Sequence, residues 1–178
     1  SLATVALIFG ISGVGLWLGL RPAPGGGATS AKTLLAAAPA KSEDCEIARI
    51  AEFLERPRPF GDRARIIATH VDWGPELLYR TQHAVLAAPY HRNAPGILDV
   101  YRLFSAVDPA ASKAIVDARG IELALLCPSP RERLFYGGEA EGVTLYQRLL
   151  EGRPPPWLAP VALPEPLAES FRLFRVVR

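Results

Sequence analysis

The sequence predicts an α/β fold, a small Rossmann-like parallel or mixed sheet with helices on both faces, preceded by one transmembrane helix. Three observations carry this. From Ile47 onward, short aliphatic runs alternate with apolar residues at helical spacing. Before that lies a charge-free apolar run. The 178 residues, 49% of them hydrophobic, are enough for one domain with a core.

Leu2 to Leu20 reads LATVALIFGISGVGLWLGL. As a helix it would extend roughly 28 Å, close to the thickness of a hydrocarbon core. Gly10, Gly13, Gly15 and Gly19 allow close helix packing in a membrane, and Trp17 fits an interfacial anchor. No basic segment precedes the run, so it does not read as a secretory signal, while a buried helix of a soluble protein is the plainer alternative. The sequence contains no methionine, and the expectation is the last span of a longer polytopic protein. Residues 1–20 are thus read as a transmembrane helix. Residues 21–41, rich in Gly, Ala and Pro, are read as a flexible linker, and 42–178 as the α/β domain, which the resemblance given below implies to be extracytoplasmic.

Within that domain Ile47, Ile50, Ala51 and Leu54 make one helical stripe, ended by Pro57. Arg65–Thr69 (RIIAT) reads as a buried strand, and residues 70–75 as the loop at its carboxyl end. Pro75 suits a first helical turn, so Glu76–Arg80 is a short helix. Ala84–Ala88 is a second strand, followed by a polar loop through Asn93. Ile97, Val100, Tyr101 and Phe104 form another helix, ending near Ala106. Asp108-Pro109 opens a helix that Gly120 stops. Ile121–Cys127 is the third strand. After a Pro- and Arg-rich loop, Val143–Leu150 is a short helix and Phe171–Val177 a terminal strand.

Twenty basic against eighteen acidic residues, with no basic run, argue against nucleic acid as a partner. Seventeen of the twenty basic residues are arginine, and Ala, Gly and Pro abound, a bias expected of a GC-rich bacterial genome. No glycine-rich dinucleotide fingerprint, P-loop or nucleophile elbow follows any strand.

The three histidines lie between positions 70 and 91, with Asp72, Arg92 and Asn93 among them on loops at strand ends. Ligands bind at such loops in open α/β sheets. Asp72, Trp73, His83, His91, Arg92 and Asn93 are therefore the candidate substrate-binding residues, converging at one edge if the first two strands are parallel. The short connection from Gly74 to His83 is the weak step in that geometry. Two other readings stand beside it. Zinc could be drawn from His70, Asp72, His83 and His91, making a metal-dependent hydrolase, or the same groups could serve as caps and loop ties. Cys45 and Cys127 are either a buried reduced pair or a disulfide formed outside the cytoplasm.

The runs VDWGPELLYRTQHAVLAAPYHRNAPGILDVYRLF, DPAASKAIVDARGIELALLC and PPPWLAPVALPEPLAESFRLFRVV together resemble a known domain type. It is the extracytoplasmic C-terminal domain of polytopic, lipid-linked-sugar-dependent glycosyltransferases, including distant oligosaccharyltransferase catalytic subunits. The resemblance covers about residues 42–178. It places Asp72-Trp73-Gly74 where those enzymes carry an acceptor-recognising Trp-Trp-Asp-Tyr-Gly motif, although the doubled tryptophan and the tyrosine are absent here. In that family the catalytic acids and metal ligands lie between earlier spans, so the resemblance implies neither catalytic residues nor a cofactor in this chain. It implies a domain contributing substrate contacts or architecture, an inner-membrane location with the domain in the periplasm, and three partners. These are the lipid bilayer, the upstream transmembrane part and a lipid-linked sugar. The alternative is a membrane-tethered binding or assembly module unrelated to sugar transfer.

Overall fold

In the computed structural model, residues 45–137 and 141–178 are described. The transmembrane reading of residues 1–20 and the linker reading of 21–41 lie outside them. Among the described residues no helix is long and apolar enough to cross a membrane.

The apolar stripe from Ile47 forms α1 (Ile47–Leu54), and the short helix α2 (Pro57–Phe60) begins at the proline that stops it. Strand β1 (Ile66–Ala68) leads through a 3-10 turn at Val71–Trp73 into α3 (Gly74–Arg80) and then β2 (Ala84–Val85). A second 3-10 turn, His91–Asn93, precedes α4 (Ala94–Ser105). Helix α5 (Pro109–Arg119) has the signals read from the sequence: Asp108 Oδ1 accepts from Ala110 N at 2.9 Å, and Gly120 closes it at φ +63°. Strand β3 (Leu123–Leu126), α6 (Pro130–Gly137), α7 (Leu145–Leu150), β4 (Leu158–Pro160), α8 (Leu167–Ser170) and β5 (Arg172–Val176) complete the described order. A reciprocal capping box starts α7: Gln147 N donates to Thr144 Oγ1, and Thr144 N donates to Gln147 Oε1.

The sheet is mixed, in the order β2-β1-β3-β5-β4. β1 runs parallel to β2 and to β3, while β5 is antiparallel to both β3 and β4. Parallel pairing of β1 and β2 is possible because the crossover uses all of residues 69–83, 3-10 turn and helix included, which exceeds the dozen or so residues such a connection needs.

Alternation along the strands divides the core. Ile67, Leu123, Leu125 and Leu173 pack on one face with α1, Phe60 and Leu77. Ala68, Ala124, Leu126 and Phe174 pack on the other with Val100, Phe104, Tyr136 and Tyr146. Every residue of β3 is buried, as expected of a central strand covered on both sides. At the amino end of β3, Glu122 gathers Arg63 and Arg65, the latter at 3.0 Å. The segment Pro130–Gly137, read from the sequence as loop, is helical, and β4 and α8 also lie where no element was expected. Proline-dense sequence hides elements this short, because Pro supplies a helix start in α6 and α2 yet reads as a breaker.

Candidate functional site at the carboxyl edge of the parallel strands

Since β2, β1 and β3 are mutually parallel, the loops after all three leave the sheet at one end. That edge is where an open α/β sheet offers room for a ligand. The turn after β1 carries Asp72, Trp73 and Gly74. A Cβ at Gly74 would overlap the Ala87 carbonyl oxygen, so glycine lets this turn press against the chain leaving β2. On that same chain, Asn93 Nδ2 donates to Leu86 O at 3.2 Å, and Gly96 packs against the Leu86 carbonyl. The loops carrying Asp72-Trp73 and His91-Arg92-Asn93 thus abut the single segment Leu86–Ala88.

His83 is not with them. It precedes β2, at the opposite end of the strand, where its Nδ1 accepts from Arg65 N at 3.2 Å and its Nε2 lies 3.1 Å from Leu54 O. Buried and bonded through both ring nitrogens, it ties β2 to α1 and to the start of β1. The expectation that six residues converge at one edge therefore fails for His83, because a residue before a strand and a residue after it are separated by the strand's length. The same separation dismantles the zinc set His70, Asp72, His83, His91. Among the described residues no group of three or more His, Cys, Asp or Glu is arranged to hold a metal ion.

Asp72, His91 and Arg92 are exposed, whereas Trp73 and Asn93 are half-buried. Asp72 is set by its neighbours: its backbone N–H donates to Nδ1 of buried His70 at 3.3 Å, and its carboxylate lies 3.8 Å from both the His70 ring and the Arg131 guanidinium. Burial holds the His70 pKa below its ordinary value, against the pull of the Asp72 charge. His70, Val71, Asp72, Arg131, Leu134 and Phe135 line a depression of about 390 Å³. Its apolar wall is open to solvent, with Leu134 78% exposed and Phe135 stacked edge-on against Tyr101.

Beneath this surface lies a group that the sequence reading missed. Glu132 in α6 is 0% exposed. Its carboxyl accepts from Trp73 Nε1 at 3.1 Å and from Cys127 N at 3.1 Å. The Tyr146 hydroxyl approaches it without reaching good hydrogen-bond geometry. Burial pushes the carboxyl up to about 8, the hydrogen bonds only tempering the rise, so the group is largely protonated at neutral pH. The indole of Trp73 is thereby spent on an internal bond. One signal could have pointed to Glu132: it follows the carboxyl end of a strand parallel to β1, at the same edge as Asp72.

Cys45 and Cys127 are joined by a disulfide, with Cα atoms 6.0 Å apart, fastening the start of α1 to the end of β3. The arrangement suits binding: an exposed carboxylate over an apolar depression, with Arg131 beside it and Arg92 on the adjoining loop. Among the described residues at this edge no side chain is paired as a nucleophile and its base.

The fold is similar to that of the C-terminal globular domain of an oligosaccharyltransferase from Archaeoglobus fulgidus, at a TM-score of 0.55 and 13% identity over 72% of this chain and 95% of that one. A further structure described as the C-terminal globular domain of oligosaccharyltransferase from that organism aligns over 75% of this chain and 96% of its own, with 16% identity and a TM-score of 0.49. No protein-family model and no curated protein matches the sequence. The likeness to the first of these structures is one of fold, which in this chain is an α/β arrangement on a mixed five-stranded sheet.

Proposed function

We propose that residues 42–178 are the C-terminal soluble domain of a polytopic membrane glycosyltransferase-like protein. In this reading the domain supplies substrate contacts or architecture and does not catalyse transfer alone. The supporting observation is the Asp72-Trp73-Gly74 turn, held at the carboxyl edge beside an apolar depression, in a chain with the fold of an oligosaccharyltransferase C-terminal globular domain. Residues 1–20 anchor it in the inner membrane and residues 42–178 lie in the periplasm, a compartment in which the Cys45–Cys127 bond persists. Asp72, Trp73, His91, Arg92 and Asn93 form the substrate-facing edge. Asp72 accepts hydrogen bonds from an acceptor, Arg92 offers a fork to a lipid phosphate, and Trp73 supports the turn from below. His83 has a structural role. The bilayer, the upstream transmembrane part and a lipid-linked sugar are the partners, and no cofactor is held by this chain.

Asp72→Ala and Arg92→Ala in the membrane protein are expected to lower sugar transfer at least tenfold, with the melting temperature of the domain changed by no more than about 2 °C, since both side chains are exposed. Transfer at the parental rate by both variants would instead favour a tethered assembly module.

A further inference from the structure

A cavity lined by Lys113, Arg148, Arg153 and Trp157 lies away from the Asp72 edge. Its floor includes Trp157, whose carbonyl accepts from Val177 N, and Leu158 pairs with Val176 one step on. Since Arg175 pairs with Leu123, this corner sits at the amino end of β3, opposite the edge described above. The cavity is about 520 Å³, within the range of small-molecule pockets.

Three cationic side chains enter it from separate parts of the chain: Lys113 of α5, Arg148 of α7 and Arg153 of the following loop. Pro109, Pro155 and Trp157 supply apolar wall. Lys113 already pairs with Asp117 at 2.6 Å and Arg153 with Glu151, but such solvent-exposed pairs are weak and yield to a competing anion. Arg148 differs. Among the described residues no carboxylate lies within ion-pair distance of its guanidinium, and its Nε is buried without a hydrogen-bond partner. With no carboxylate partner among the described residues, the Arg148 guanidinium keeps its charge for an oxyanion seated in the cavity that it lines. The walls are set in advance: Arg153 N donates to Arg148 O at 2.8 Å, Leu158 N donates to Pro155 O at 2.9 Å, and consecutive prolines stiffen the loop. The amino end of α5 adds little, being capped by Asp108.

We propose that this cavity binds a phosphate monoester carried on a ring, the phosphate between Arg148, Lys113 and Arg153 and the ring against Trp157. The cations select the oxyanion. The indole face and prolines favour a flat, partly apolar body, which either a sugar or an aromatic ring provides. The site does not depend on the sugar-transfer reading of the opposite edge.

Titration of the full 178-residue chain in 150 mM NaCl with glucose 1-phosphate, phenyl phosphate and inorganic phosphate tests it. At least one ring ester is expected to bind saturably and at least tenfold more tightly than inorganic phosphate, and the tighter of the two identifies the ring. Arg148→Gln should weaken that ester at least tenfold, and Trp157→Ala should erase its advantage over inorganic phosphate. Arg148→Lys guards against misfolding by keeping charge and bulk while losing the fork. Absence of saturable binding by either ester, or undiminished binding by a folded Arg148→Gln protein, would overturn the proposal.

Discussion

Stability is expected to fall as pH rises from about 5 to 8, and Glu132→Gln should remove most of that fall. The Glu132 carboxyl is raised from an ordinary value of 4.5 to about 8 because it is enclosed between β3, Trp73 and Tyr146. The folded protein therefore holds a proton that the unfolded chain releases above pH 4.5. Its stabilising contribution is complete below the unfolded pKa and is lost as pH rises through the folded one, at about 1.4 kcal/mol per pH unit inside the window. Across the whole window the loss amounts to roughly 5 kcal/mol. Glutamine keeps an oxygen to accept from Cys127 N and Trp73 Nε1 but carries no titrating proton. Urea unfolding at pH 5, 6, 7 and 8 reads the effect. A flat wild-type profile, or an equal slope in Glu132→Gln, would show that the carboxyl is not held protonated.

The second large effect is covalent. The Cys45–Cys127 bridge closes a loop over a sequence separation of 82. Replacing both cysteines by serine is expected to cost roughly 4 kcal/mol, mostly by freeing the unfolded chain. Alkylation of denatured, unreduced protein should label neither thiol, and labelling of both would contradict the bond. The two effects are coupled, because Cys127 N is itself a donor to Glu132. A triple variant carrying both serines and Glu132→Gln should not lose the sum of the separate changes.

Legibility in the sequence followed how local each signal was. Helix α5 was readable at both ends because Asp108, Pro109 and Gly120 act on their own backbone neighbours. Helix α1 and the buried strand β3 were readable from spacing and apolarity. The run Ala84–Ala88 predicts a five-residue strand, whereas β2 has two, since after Leu86 N, which still donates to Ile67 O, the chain leaves the ladder to receive Gly74 and Asn93, a tertiary contact with no local mark. The edge set was partly legible: Asp72, Trp73, His91, Arg92 and Asn93 follow parallel strands, as the loop rule requires. His83 was grouped with them because it is near in sequence, whereas the strand carries it to the far end. Glu132 was hidden because a Glu between two arginines after Pro130 reads as a solvated turn. Only the parallel pairing of β1 with β3 brings it under Trp73.

The proposed role of this domain is to serve a sugar-transferring membrane protein without being its catalyst. The most direct measurement is transfer from a lipid-linked sugar by three preparations: the membrane protein, the same protein lacking residues 42–178, and residues 42–178 alone. Transfer by the first, at least a hundredfold loss in the second and no turnover by the third is the predicted result. Full activity without residues 42–178, or turnover by the isolated domain, would contradict it.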